Sequence, residues 1–89
     1  MQLEEKASGD VARRLRRVEG QLGGIIRMLE QGRDCADIVT QLAAASRALD
    51  RAGFRLLSSG MQQCLDATAK GKPAPMSPEE MEKLFLSLA

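Results

Sequence analysis

The sequence predicts an all-α fold, and three observations carry that expectation. Apolar residues recur at alternating steps of three and four across two long segments, nothing alternates at the two-residue period of a strand, and the three prolines are confined to positions 73–78. Only Gly32, Arg33 and Asp34 separate the periodic segments, so they should fold back on each other as a long antiparallel hairpin. With 44% apolar but only 2% aromatic residues among 89, the core must be built from Leu, Ile, Val, Met and Ala. A lone hairpin of this size buries little surface, and association with further copies is the expected remedy.

In chain order, residues 1–7 lack periodicity and are expected to form a mobile arm, with Ser8 capping the first helix. Val11, Leu15, Val18, Leu22, Ile25 and Leu29 then share one stripe, while Arg13, Arg14, Arg16, Arg17 and Arg27 occupy other faces. Gly20, Gly23 and Gly24 weaken a helix, so their expected use is close approach of a neighbouring helix. Gly32 suits a C-terminal cap. The second helix is predicted from Asp34 to Thr68, with a seam at Cys35, Ile38, Leu42, Ala45, Leu49, Ala52 and Leu56. Lys70 to Pro75 breaks the pattern. Ser77, Pro78 and Glu80 then form a helix start, followed by Met81, Leu84, Phe85 and Leu88, so a short third helix closes a single domain over 1–89. Met1 to Asp10 is polar and no apolar run approaches the ~18 residues of a membrane span, which points to a cytoplasmic protein.

The two cysteines lie 29 positions apart, roughly 43 Å at about 1.5 Å per residue, so they cannot meet within one straight helix. The same interval leaves only ~20° beyond whole turns, so both thiols point to one side. An identical helix lying antiparallel, with a two-fold axis near Leu49 and Asp50, would set each Cys35 opposite Cys64 of the partner subunit. Such a dimer has a four-helix core, and its second seam predicts a dimer of dimers. Cys35 also falls in the opening turn of its helix, where the dipole suits an anion; Arg33 assists this and Asp34 opposes it. The alternative is that both cysteines are small buried hydrophobes.

Arginine supplies the second constellation. Arg13, Arg14, Arg16 and Arg17 cluster, and Arg47, Arg51 and Arg55 recur every four residues. Their planar forks suit phosphate, and Arg14, Arg17, Arg51 and Arg55 are the expected DNA contacts. The competing reading is a solvated face paired with Glu19 and Asp50. Glu4, Glu5, Asp10, Glu79, Glu80 and Glu82 crowd the sequence ends and leave the arginines in the middle, so the net charge of +1 does not exclude a polyanionic partner. The chain has no histidine, tryptophan or tyrosine, no phosphate-binding glycine loop and no catalytic triad. Glutamates in the first turn of the third helix match its dipole. Neither an enzyme nor a cofactor is expected.

The run Arg14-Leu15-Arg16-Arg17-Val18-Glu19-Gly20-Gln21-Leu22-Gly23-Gly24-Ile25-Ile26-Arg27-Met28-Leu29, with Cys35, Ile38, Gln41-Leu42-Ala43-Ala44-Ala45 and Cys64, resembles the copper-sensing repressor (CsoR/RcnR) family. The resemblance covers most of the chain. It implies a helical subunit assembled as an antiparallel dimer and disc-like tetramer, which binds operator DNA and releases it when an inducer occupies an intersubunit cysteine site. Copper-sensing members place a cysteine at Cys35, a histidine at Gly60 and a cysteine at Cys64, with a supporting glutamate at Glu80. Nickel- and cobalt-responsive members need histidines, and formaldehyde-responsive members keep only the first cysteine. Two cysteines without the histidine are similar to the persulfide-sensing (CstR-like) branch, which implies a repressor released when persulfides or polysulfides join Cys35 to Cys64 of a neighbouring subunit. A Cu(I)-responsive repressor using Cys35, Cys64 and the Met61 thioether is the alternative. A structural helical adaptor is the other.

Overall fold

The computed structural model describes all of residues 1–89 and contains three helices, with no strand: α1 (Glu5–Glu30), α2 (Cys35–Ala69) and α3 (Pro78–Leu88). α1 and α2 pack antiparallel as the predicted hairpin, and α3 returns along the distal half of α2. The result is a thin slab of 58 × 24 × 14 Å. No helix is long and apolar enough to cross a membrane.

Both junctions are closed by glycine. Gly32 adopts φ 67°, its N–H donating to the Leu29 carbonyl (3.1 Å) while that of Arg33 donates to Met28 (2.9 Å). Gly71, at φ 74°, repeats the arrangement at the end of α2, with the Gly71 and Lys72 amides reaching Thr68 and Ala67. These paired bonds satisfy carbonyls left open at a helix end and need a left-handed residue that glycine supplies without strain. Asp34 caps α2 by accepting from the Ala36 amide (3.0 Å), and Ser77 caps α3 by accepting from the Glu80 amide (3.1 Å). α3 is held by Phe85 against Phe54, ring centroids 5.9 Å apart, and by Leu88 against Gly53, where an added Cβ would lie 3.1 Å from its Cδ2.

Three expectations are corrected. The N-terminal residues are not a free arm: α1 starts at Glu5, three residues before Ser8, because preceding residues are anchored to α2. The Glu4 N–H donates to Gln63 Oε1 (2.8 Å), Gln63 Nε2 donates to the Gln2 carbonyl (3.0 Å), and Met1 and Leu3 line a cleft with Leu56, Leu57 and Gly60. Second, no helix of the same chain approaches Gly20, Gly23 or Gly24; the first faces open space and the other two meet only the Arg27 guanidinium. Third, each seam divides. Val11, Val18 and Ile25 of α1 and Ala45 and Ala52 of α2 are buried, whereas Leu15, Leu22, Leu29, Leu42, Leu49 and Leu56 remain exposed. Two helices in contact along one line can cover only half of each stripe, and only seven of 89 residues are buried.

The turn offers a direct check of this backbone account. Gly32→Ala meets no steric neighbour but must hold a positive φ, so it should lower stability by about 1 kcal/mol, read as a reduced urea midpoint at fixed protein concentration.

Candidate nucleic-acid interface and thiol site

The predicted arginines converge. Arg14 and Arg17 from α1 and Ala48 and Arg51 from α2 line one cleft of about 100 Å³ between the helices. Arg55, one turn beyond Arg51, lies on the same side, its Nε 3.3 Å from Asp10 Oδ2. The same oxygen receives Arg14 Nε at 3.2 Å, and Asp10 Oδ1 stands 3.5 Å from an Arg13 terminal nitrogen. The pairing with Glu19 and Asp50 that a solvated face would use is absent. Asp10, which the linear sequence groups with the acidic ends, instead sits among the arginines. Its spacing of four from Arg14 was the available signal; its reach to Arg55 is tertiary.

The Arg14 hydrogen bond, aided by the Arg14 charge and by Arg55, holds the Asp10 carboxyl below its ordinary value, while partial burial opposes the shift. A depressed carboxyl contributes stability above the ordinary range and loses it as acid protonates the group through its lowered value. The clamp therefore persists at neutral and mildly acidic pH.

The thiols occupy contrasting surroundings. Cys35, the first residue of α2, is exposed, beside Arg33, Asp34 and Asp37. Cys64 is half-buried, its Sγ 3.9 Å from the Met76 carbonyl oxygen. It borders a cleft of about 220 Å³ shared with Met61, Leu65, Met76 and Met81. Sequence spacing of three links Met61 to Cys64, but Met76 and Met81 arrive through the return of α3 and were not legible in advance. Both cysteines are free, and α2 runs unbroken between them.

Gly60 is buried, and a Cβ there would lie 3.8 Å from the Met1 methyl group. The position contributes no side-chain donor. Glu80 is engaged locally, its carboxylate accepting from the Ser77 hydroxyl at 3.3 Å. No three His, Cys, Asp or Glu side chains gather as a metal cluster.

An all-helical subunit with an arginine-lined cleft and thiols near opposite ends of one helix has the make-up of a small ligand-responsive regulator. The family model described as "Metal-sensitive transcriptional repressor" matches residues 7–87, and the chain belongs to that family. It is 44% identical over 63 residues to the copper-sensing transcriptional repressor RicR of Mycobacterium tuberculosis, covering 70% of this chain and 66% of that protein. It is 30% identical over 80 residues to the copper-sensing transcriptional repressor CsoR of Bacillus subtilis, covering 90% and 79%. The fold superposes on the crystal structure of the copper-sensing repressor CsoR with Cu(I) from Geobacillus thermodenitrificans with a TM-score of 0.79 and 28% identity, over 98% of this chain and 91% of that one. The family is one of transcriptional repressors rather than enzymes.

The electrostatic assignment predicts a titration. In carbon-detected NMR the Asp10 carboxyl should titrate below the ordinary carboxylate range, and in an Arg14→Ala/Arg55→Ala variant its midpoint should rise back into that range.

Proposed function

We propose that this repressor holds operator DNA while its thiols are reduced and lets go when a persulfide or polysulfide joins Cys35 to Cys64 of the partner subunit. The observation that carries this reading is the donor set at the sensing end. Two free thiols stand on one uninterrupted helix, and the position to which the family resemblance assigns a copper-site histidine is a buried glycine, Gly60.

The assembly follows from the exposed stripes. Leu15, Leu22 and Leu29 with Leu42, Leu49 and Leu56 form an apolar face suited to a second antiparallel hairpin. Cys35 begins the α2 stripe at the same seven-residue spacing as Leu42, Leu49 and Leu56, which puts it at the edge of that interface. The apolar surface of α3, including Leu84, Phe85 and Leu86, is available for the contact between dimers.

The reaction needs only the two thiols and an organic persulfide, RS–SH. A Cys35 thiolate attacks the outer sulfur, forms Cys35–S–SH and releases RS⁻, which takes up a proton. Cys64 of the partner subunit then attacks the inner sulfur and releases HS⁻. Two thiols are oxidised to one disulfide and the sulfane sulfur is reduced to sulfide, giving RSH and H₂S. The bond shortens the separation of the two chains at that point, and the arginine clefts of the assembly change their relative positions.

A second reading keeps the repressor and replaces the inducer with Cu(I). It is favoured by the Met61, Met76 and Met81 thioethers beside Cys64 and by the copper-sensing relatives. These soft donors fit Cu(I) in kind. Cys64, Cys35 of the partner subunit and one thioether would hold the ion, which would bridge two chains without oxidising either thiol.

Inorganic polysulfide should convert the reduced protein into a covalent dimer on a non-reducing denaturing gel while operator affinity falls. Cys64→Ser should abolish the crosslink yet accumulate a persulfide on Cys35, seen by intact mass. If Cu(I), but not polysulfide, releases the operator, the sulfur reading is wrong. Arg14→Ala and Arg51→Ala should each weaken operator binding and reduce the log–log salt slope by about 1, measured by fluorescence anisotropy with the assembly intact.

A further inference from the structure

We infer that the cleft beside Cys64 seats the organic group of the inducer, so the sensor selects small, uncharged, apolar persulfides of the alkyl or aryl type over strongly charged ones. This rests on the sulfur-sensing reading and adds a substrate class to it.

The cleft is built from three segments. α2 contributes Met61, Leu65 and Thr68 besides Cys64; the connection contributes Ala74, Met76 and Ser77; α3 contributes Pro78 and Met81. No Asp, Glu, Lys or Arg lines it. Its volume is about 220 Å³, and apolar cavities of ~150 Å³ accept a benzene ring. A benzyl or short alkyl group fits that space.

A multiply charged peptide persulfide such as that of glutathione would leave carboxylates and ammonium facing thioethers and methylenes, with no charged partner and only the Thr68 and Ser77 hydroxyls to bond them. The three methionines add adaptability, because unbranched thioethers can rearrange around ligands of different shape and make favourable contacts with aromatic rings.

The surroundings of the two thiols divide the work. Cys35 is exposed and flanked by charged residues, so it has no pocket of its own to recognise an organic group. The half-buried Cys64 forms part of the wall of one. An inducer whose R group enters that cleft presents its sulfane sulfur near Cys64, where Cys35 of the partner subunit attacks it and RS⁻ departs into the cleft. The leaving group, RSH once protonated, is uncharged and suited to the apolar wall. Selectivity thus resides on one chain and the attacking nucleophile on the other.

The test compares crosslinking rates of the reduced full-length protein with benzyl persulfide, glutathione persulfide and inorganic tetrasulfide, followed by intact mass. Benzyl persulfide should react at least ~10-fold faster than glutathione persulfide, the scale of discrimination an apolar pocket gives. Met81→Glu, which places a charge in the wall, should collapse that ratio. Equal rates for the two organic donors in the unaltered protein would overturn the cleft assignment and leave the sulfur-sensing reading intact. Absence of crosslinking by all three reagents, tetrasulfide included, would overturn the sulfur-sensing reading itself.

A binding measurement provides an independent check. With ¹³C-methyl methionine, the unreactive benzyl methyl sulfide should shift the Met61, Met76 and Met81 signals and leave Met28 unmoved. No shift, as expected if another chain of the assembly fills the cleft, would overturn the inference.

Discussion

Two helices that touch along a line can each hide only one stripe of side chains, and this limit governs the molecule. The residues hidden within the hairpin are mostly small or β-branched: Val11, Val18, Ile25, Ala45 and Ala52. Alanine permits close approach of the helix axes, but it contributes little apolar area. The larger leucines stand one step around each helix, where Leu42 and Leu49 are each 50% exposed and Leu29 is 60% exposed. Much of the apolar surface that could stabilise the fold therefore lies on the outside of a slab only 14 Å thick. The hairpin is shaped as half of a packed core, and the same unmet surface that calls for another chain runs up to Cys35.

Charge is arranged with similar economy. Four neighbouring guanidiniums would repel one another across the hairpin, and the Asp10 carboxylate offsets part of that repulsion, pairing with Arg14 on its own helix and tying α1 to α2 through Arg55. Arg17 and Arg51 form no ion pair and remain free at the cleft. A phosphate entering there meets uncommitted donors first and competes with Asp10 only for Arg14. All these groups are substantially exposed, so the clamp orients side chains more than it stabilises the fold.

The helices were legible because their determinants are local: the three-and-four periodicity, Gly32 at a left-handed turn, and Ser77-Pro78 with Glu80 at a helix start. Family membership was legible because a contiguous motif and the cysteine spacing lie within those helices. What escaped the sequence depends on contacts between distant residues. Nothing around Met1 to Glu4 announces that Gln63 will bind their backbone from 59 and 61 positions away. Counting charges along the chain set Asp10 apart from the arginines it joins, and the periodic seam of α2 gave no indication of which half would face α1. The thioether cleft is another such case, since Met76 and Met81 reach Cys64 only because the connection and α3 fold back.

Gly60 lies where the ordered N-terminus meets the part of α2 that carries Cys64. Glycine in a helix interior lowers stability by ~1 kcal/mol relative to alanine, yet the nearest atom to a Cβ here is the Met1 methyl at 3.8 Å, an ordinary contact. Alanine would fit, and a larger side chain would meet first the Met1 methyl, the free end of a flexible side chain. The Glu80 carboxylate is engaged with the Ser77 hydroxyl at the start of α3. What borders Cys64 is sulfur, aliphatic carbon, two hydroxyls and the Met76 carbonyl. That environment favours soft or covalent sulfur chemistry over coordination by harder ligands, because it offers polarisable thioethers and a thiol without an acid or base beside them.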